Sequence, residues 1–178
     1  MQAIAAAEGG RLDILAAASL LHDCVAVEKS SPLRSRASLL AAERAAEILQ
    51  RLGWSAEDIS DIAHAIAAHS FSAGIAPTTL EARVLQDADR LDALGHIGIA
   101  RCFYIAGRMG WSIYDPDDIR AERRSLDDMR YALDHFRTKL LSLGESFQTA
   151  TGSQMAAERT RVITTFLAGF EAELQQGD

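Results

Sequence analysis

Hydrophobic residues recur along this chain at helical spacing almost from end to end, and no β-branched run alternates with polar residues as a half-buried strand would. Residues 1–8 read as the tail of a helix that stops at Gly9-Gly10. An apolar helix is expected over 11–26, and Glu28 to Arg34 reads as a loop. Ser35 or Ser38 opens the next helix, which runs to Leu52 and ends at Gly53. Ser55-Ala-Glu-Asp58 resembles a capping box and predicts a helix to about His69. Phe71 to Pro77 is a loop. Thr78 or Thr79 starts a helix that continues through Leu94 and breaks at Gly95, and another covers roughly 97–108. Residues 109–125, with Gly110, Pro116 and four acids, read as a surface loop. Amphipathic helices over 126–142 and 152–175 close the chain.

Charge interrupts this pattern in two places. The apolar run LAAASLLHD ends in His22-Asp23, and Asp87-Ala88-Asp89-Arg90-Leu91-Asp92 follows about 65 residues later. A buried carboxylate is costly unless it is paired or metal-bound, and a His, an adjacent Asp and a distant Asp supply the nitrogen and oxygen donors that suit a divalent ion. Neighbours on a helix diverge by about 100°, so His22 and Asp23 reach one ion only if it lies off the helix end. A helix-terminal His beside a solvated Asp is the bland alternative. Asp89 and Asp92 share a helix face, with Asp89 beside the stripe of Val84, Leu85, Ala88, Leu91 and Leu94, while Asp87 points elsewhere. The favoured ligand is therefore Asp89, with Asp92 behind it, and Arg90 as the counter-charge is the alternative.

His64 and His69 are five residues apart and diverge around a helix. His69, at the helix end beside Ser70-Phe71-Ser72, is the better functional candidate. His64 reads as structural, and His96 and His135 carry little signal. Lys29, Arg34 and Arg36 form a cationic cluster near His22, in a loop suited either to phosphate oxygens or simply to water. A glycine-rich phosphate loop, a nucleophile elbow, a CxxC pair and a calcium loop are all absent.

The chain has 178 residues, 48% hydrophobic and 24% charged, enough for one globular domain. A net charge of -7 argues against a broad duplex-binding face but leaves room for a small phosphorylated substrate. Only Lys29 and Lys139 are lysines, so Lys29 stands out beside the candidate site. Two cysteines, Cys24 and Cys102, have no framework spacing and fit a reduced, cytoplasmic protein. No run is long enough to span a membrane, and the start lacks the features of a signal peptide.

The words LLHDCVAVEKSSPLRSRAS, HAIAAHSFSAGIAPTTLEARVLQDADRLDALGHIGIAR, LDDMRYALDHFRTKLLSL and TGSQMAAER, in this order, resemble the HD-domain superfamily of metal-dependent phosphohydrolases, and more closely its bacterial YedJ-like subgroup. The resemblance covers nearly the whole chain. It implies a single all-α HD-type domain over residues 1–178. It implies a divalent ion (Mn, Mg, Co, Ni or Fe) held by His22, Asp23 and Asp89, with a water activated for attack on phosphorus. Asp23, Lys29 and His69 would be catalytic. Lys29, Arg34, His69 and Asp92 would hold a small phosphorylated substrate, expected to be a nucleotide. No duplex nucleic acid and no membrane are implied as partners, and a homodimer is left open. The family's first metal-binding His precedes the Gly9-Gly10 break in an H-x-x-R-V setting, and residues 1–21 contain no His. The expectation is therefore a shortened first helix and an ion held by at most three side chains. A non-catalytic nucleotide- or phosphate-binding domain with a degenerate metal site is the rival reading.

Overall fold

The computed structural model describes residues 1–28 and 31–175. In chain order the helices are α1 (Gln2–Glu8), α2 (Leu12–Leu21), α3 (Ala37–Arg51), α4 (Ala56–His69), α5 (Leu80–Leu91), α6 (Gly95–Met109), α7 (132–143) and α8 (Ala150–Gln175). The middle of α7, Phe136–Leu140, is π-helical. Short 3-10 turns lie at Arg34–Arg36 and Phe71–Ala73. Among the described residues extended pairing is confined to one isolated bridge, between Ser112 and Tyr131. The protein is all-α, as the periodicity predicts, and no described helix is long and apolar enough to cross a membrane.

The predicted punctuation works where side chains cap the chain locally. Gly9 takes φ 88° and its N–H returns to Ala5 O, closing α1. Ser55 Oγ accepts from Asp58 N at 3.1 Å, and Thr79 Oγ1 from Ala82 N at 3.2 Å. Three boundaries differ clearly from expectation. α2 stops at Leu21 rather than 26, and α5 at Leu91 rather than Leu94. α7 begins at 132 rather than 126, because residues 126–131 are not helical. There Asp134, fully buried, accepts from Asp127 N (2.7 Å) and from both ends of the Arg124 fork (2.5 and 3.1 Å). Ala132 N and Leu133 N then donate to Ser112 O and Ile113 O instead of starting a helix upstream.

The described residues gather into two compact units, Met1–Asp89 with Gln148–Gly152, and Arg90–Phe147 with the chain from Ser153. The first unit has a core of Ile14 and Ala18 from α2, Ala41, Ala45 and Leu49 from α3, Ile62, Ala65 and Ile66 from α4, and Ala82 and Leu85 from α5. The many alanines matter, because small side chains let helix axes approach closely. The second unit is built on aromatics. Phe103 packs on Phe136 and Phe166 with ring centroids 5.7 and 5.8 Å apart. Its long 109–131 connection is tied down by Asp134 and by Arg137, which donates to Ile119 O (2.8 Å) and Glu171 (2.6 Å).

Within the first unit, α5 closes the start of α8. Asp87 is fully buried and accepts from Gln148 N (2.8 Å), Thr149 N (2.8 Å) and Thr149 Oγ1 (2.7 Å). Thr149 Oγ1 in turn accepts from Gly152 N at 3.0 Å. Glu8 accepts from Thr151 N at 2.6 Å, and hydrogen bonds from the Thr151 side chain first and its backbone second hold the carboxyl below the usual range. Two carboxylates thus meet the positive end of a long helix. A Cβ at Gly152 would collide with Asp87 Oδ2, which explains the glycine.

Gly152→Ala should therefore destabilise the protein by about 1–3 kcal/mol, and Asp87→Ala by about 3 kcal/mol, since it strands buried N–H groups. Thermal melts check both, and an unchanged Tm for Asp87→Ala would show that the clamp is dispensable. Both cysteines are free; Cys24 is exposed, whereas Cys102 is buried and desolvation pushes its thiol up to about 11. Mild alkylation near neutral pH should modify Cys24 quickly and Cys102 only on unfolding, as read by peptide mass.

Candidate metal and phosphate site

α2 and α4 each end in a histidine, and the two meet. His22 is the C-cap of α2 and His69 the last residue of α4. His22 Nδ1 donates to Ser19 O at 2.8 Å, and His69 Nδ1 donates to Ile66 O at 2.6 Å. A carbonyl oxygen only accepts, so in both neutral rings the proton sits on Nδ1 and the Nε2 lone pair is available. The rings lie edge to face with centroids 5.1 Å apart. Asp23 stands at both: its Oδ2 is 3.4 Å from His22 Nε2, and its Oδ1 is 4.0 Å from His69 Nε2. The early stop of α2 makes this possible. Cys24 N returns to Leu21 O and turns the chain, so Asp23 is carried back toward the ring of its neighbour.

Burial differs sharply within the cluster. The His69 side chain is 7% exposed, His22 27% and Asp23 80%. Two imidazoles fixed by backbone carbonyls thus border a carboxylate open to solvent. Histidines that ligate a divalent ion commonly have Nδ1–H bound to the protein in this way, which leaves Nε2 to the ion. Among the described residues no three His, Cys, Asp or Glu side chains are placed to hold an ion together.

The other predicted residues fall as follows. Asp89 is exposed in the last turn of α5, and Asp92 is exposed just beyond that helix. Arg34 is exposed and donates to Val27 O at 3.2 Å. Arg36 is exposed too. Lys29 lies outside the described residues. His64 takes a structural place: its Nε2 accepts from Thr78 N at 3.0 Å and pairs with Thr78 Oγ1 at 2.9 Å, pinning the loop that leads into α5. His135 pairs with Asp128 at 3.3 Å. His96 lines a surface groove of about 610 Å³ with Ile99, Arg161, Val162, Thr165 and Phe166.

Ser38, expected only as a possible helix opener, and Gln86, which no motif marks, both reach the end of α4 that carries His69. A polar residue inside a stripe of apolar positions was the available signal. Gln86 follows Val84 and Leu85, and is as buried as they are.

The family model for the HD domain matches residues 1–94, and the chain belongs to the HD-domain family. It is similar to the uncharacterized protein YpgQ of Bacillus subtilis (strain 168), with 30% identity over 171 residues, which is 94% of this chain and 75% of that one. Among solved structures, YpgQ in complex with ADP matches with a TM-score of 0.74 and 32% identity, covering 96% of this chain and 78% of that one. An HD-superfamily hydrolase from Bacillus thuringiensis matches with a TM-score of 0.74 and 31% identity, covering 97% and 79%. The fold is therefore that of the HD-superfamily hydrolases.

The two α4 histidines should separate cleanly on mutation. His64→Ala removes the acceptor of the Thr78 hydrogen bonds and should cost about 1 kcal/mol of stability, without lowering activity per folded molecule. Paired melts and assays check this, and a large activity loss in folded His64→Ala would move His64 into the site.

Proposed function

We propose that the protein is a metal-dependent phosphohydrolase acting on a small phosphate ester or nucleotide. The observation that carries the reading is the approach of Asp23 to the rings of both His22 and His69 at two helix ends, with both Nδ1 protons committed to carbonyls. Its donor chemistry fits a divalent ion. His22, Asp23 and His69 would hold it, and Asp89 is kept as a further ligand from α5. The family resemblance implies a phosphate-side role for His69; its Nε2 beside Asp23 favours an ion-holding role. When bound, such an ion supplies Lewis-acid charge and activation of a water.

The remaining work falls to this chain's own groups. Asp23, open to solvent, is positioned to accept a proton from an attacking water. Arg34, exposed beside the same segment, offers a planar fork for phosphate oxygens. Lys29 is assigned the same task from its place in the sequence, and Asp92 is assigned to the substrate side. The ADP bound in the YpgQ structure supports a nucleotide as the ligand class. That no three His, Cys, Asp or Glu side chains among the described residues are placed to hold an ion together favours a second reading, a domain that binds nucleotide without hydrolysing it.

The test is phosphate release from ADP and from a simple aryl phosphate by the full chain, with Mn²⁺, Mg²⁺ or Co²⁺ added. His22→Ala, Asp23→Ala and His69→Ala should each reduce metal affinity or rate by roughly 10–100-fold or more. Arg34→Ala should raise KM more than it affects Tm. Tight ADP binding with no phosphate release under any metal would select the second reading. Absence of both activity and binding would overturn the proposal.

A further inference from the structure

An α-helix leaves its last four carbonyl groups without partners inside the helix. In α4 these belong to Ile66, Ala67, Ala68 and His69. Three of the four are taken by side chains, each from a different element. The His69 ring donates to Ile66 O at 2.6 Å. Ser38, in the first turn of α3, donates its Oγ–H to Ala67 O at 3.0 Å. Gln86, in α5, donates from Nε2 to Ala68 O at 2.6 Å.

Ser38 and Gln86 are each 2% exposed, and Ala65, Ile66 and Ala68 beside them are fully buried. Polar groups in such surroundings are costly unless paired. Gln86 is only half paired, because its buried Oε1 has no hydrogen-bond partner among the described residues. A leucine would fill the position without that cost. What glutamine provides and leucine cannot is a donor for the carbonyl immediately before His69.

That carbonyl matters because of where the ring hangs. His69 is the last helical residue, and Ser70 already has extended backbone (φ -76°, ψ 128°). Fraying of one residue would swing the His69 side chain and break its bond to Ile66 O. With Ala67 O tied to α3 and Ala68 O tied to α5, the last turn is fixed from two sides.

We infer that Ser38 and Gln86 are positioning residues for the His69 imidazole, holding its Nε2 in place beside His22 and Asp23. They touch neither substrate nor ion and act through the α4 backbone. The inference rests on the reading of His22, Asp23 and His69 as the reacting cluster, but its first measurement does not depend on activity.

The experiment uses the full chain without added metal, at a pH where the imidazoles are neutral. Long-range ¹H–¹⁵N NMR of the histidine rings reports which nitrogen carries the proton. Wild type should show His69 protonated on Nδ1. Gln86→Leu and Ser38→Ala should each shift His69 toward a mixture of tautomers while the overall fold persists. Ser142→Ala, which removes a comparable hydroxyl-to-carbonyl bond (2.9 Å to Lys139 O) remote in sequence, should leave the ring unchanged. Co²⁺ titration should then show affinity lowered roughly tenfold or more in the two test variants, the scale of loss seen when groups behind a metal ligand are removed.

If the His69 ring is unchanged in Ser38→Ala and in Gln86→Leu, the inference is overturned. Wild-type His69 protonated on Nε2 would overturn it as well. Should Gln86→Leu fail to fold, the small Ser38→Ala change carries the decision. A tautomer shift in a chain that neither binds metal nor releases phosphate would uphold the positioning role and refute the proposed hydrolase function instead.

Discussion

The first unit depends on how two helix ends are closed, and α5 closes both with consecutive side chains. Gln86 gives a donor to the carbonyl end of α4, and Asp87 gives a carboxylate to the amide end of α8. The chemistry matches the field, since a helix ends in unpaired carbonyls and begins in unpaired N–H groups. Each such group, if buried without a partner, costs about 1–3 kcal/mol. An amphipathic helix with only apolar residues on its inner face could pack here, but it could not terminate its neighbours. Gln86 and Asp87 are therefore buried as deeply as Val84 and Leu85.

The cluster of His22, Asp23 and His69 inherits its geometry from helix endings of the same kind. His22 follows the last turn of α2 and His69 completes α4, and each ring is held by the carbonyl three residues back. Helix ends are where such carbonyls are free to accept, so the same unpaired groups that threaten stability orient the imidazoles. The result is two fixed nitrogen donors beside an exposed carboxyl group, that of Asp23. Fixed donors lose little freedom when a ligand arrives, which is the physical content of preorganisation.

The family match and the compact units divide the chain in nearly the same place. The HD-domain match spans residues 1–94, and the first unit takes Met1–Asp89. His22, Asp23, His69 and Asp89 all lie in that part. The second unit is organised by different forces, an aromatic cluster around Phe103 and Phe136 and the buried Asp134 with its two arginines. Asp134 joins Arg124 and Arg137 across a long irregular connection, so this ion network fixes backbone that has no helix or sheet of its own.

The sequence alone determined the all-α class and most helix starts, and it singled out His22-Asp23 and His69, side chains that the fold brings together. Those readings rest on local rules: apolar spacing, Ser55 and Thr79 as caps, Gly9 as a stop, and a charged pair ending an apolar run. The sequence could not weigh neighbours distant along the chain. Asp87 and Asp89 read alike in a string of acids, and only the fold puts Asp87 against residues 148 and 149 while Asp89 stays exposed. Ser38 and Gln86 carry no motif, and their partners, Ala67 O and Ala68 O, are backbone atoms with no signature in sequence. The helix expected from residue 126 begins only at 132, because Ala132 N and Leu133 N pair with Ser112 O and Ile113 O, far back along the chain. Tertiary structure decided these points because a buried hydrogen bond depends on which groups meet in space after the apolar faces have packed.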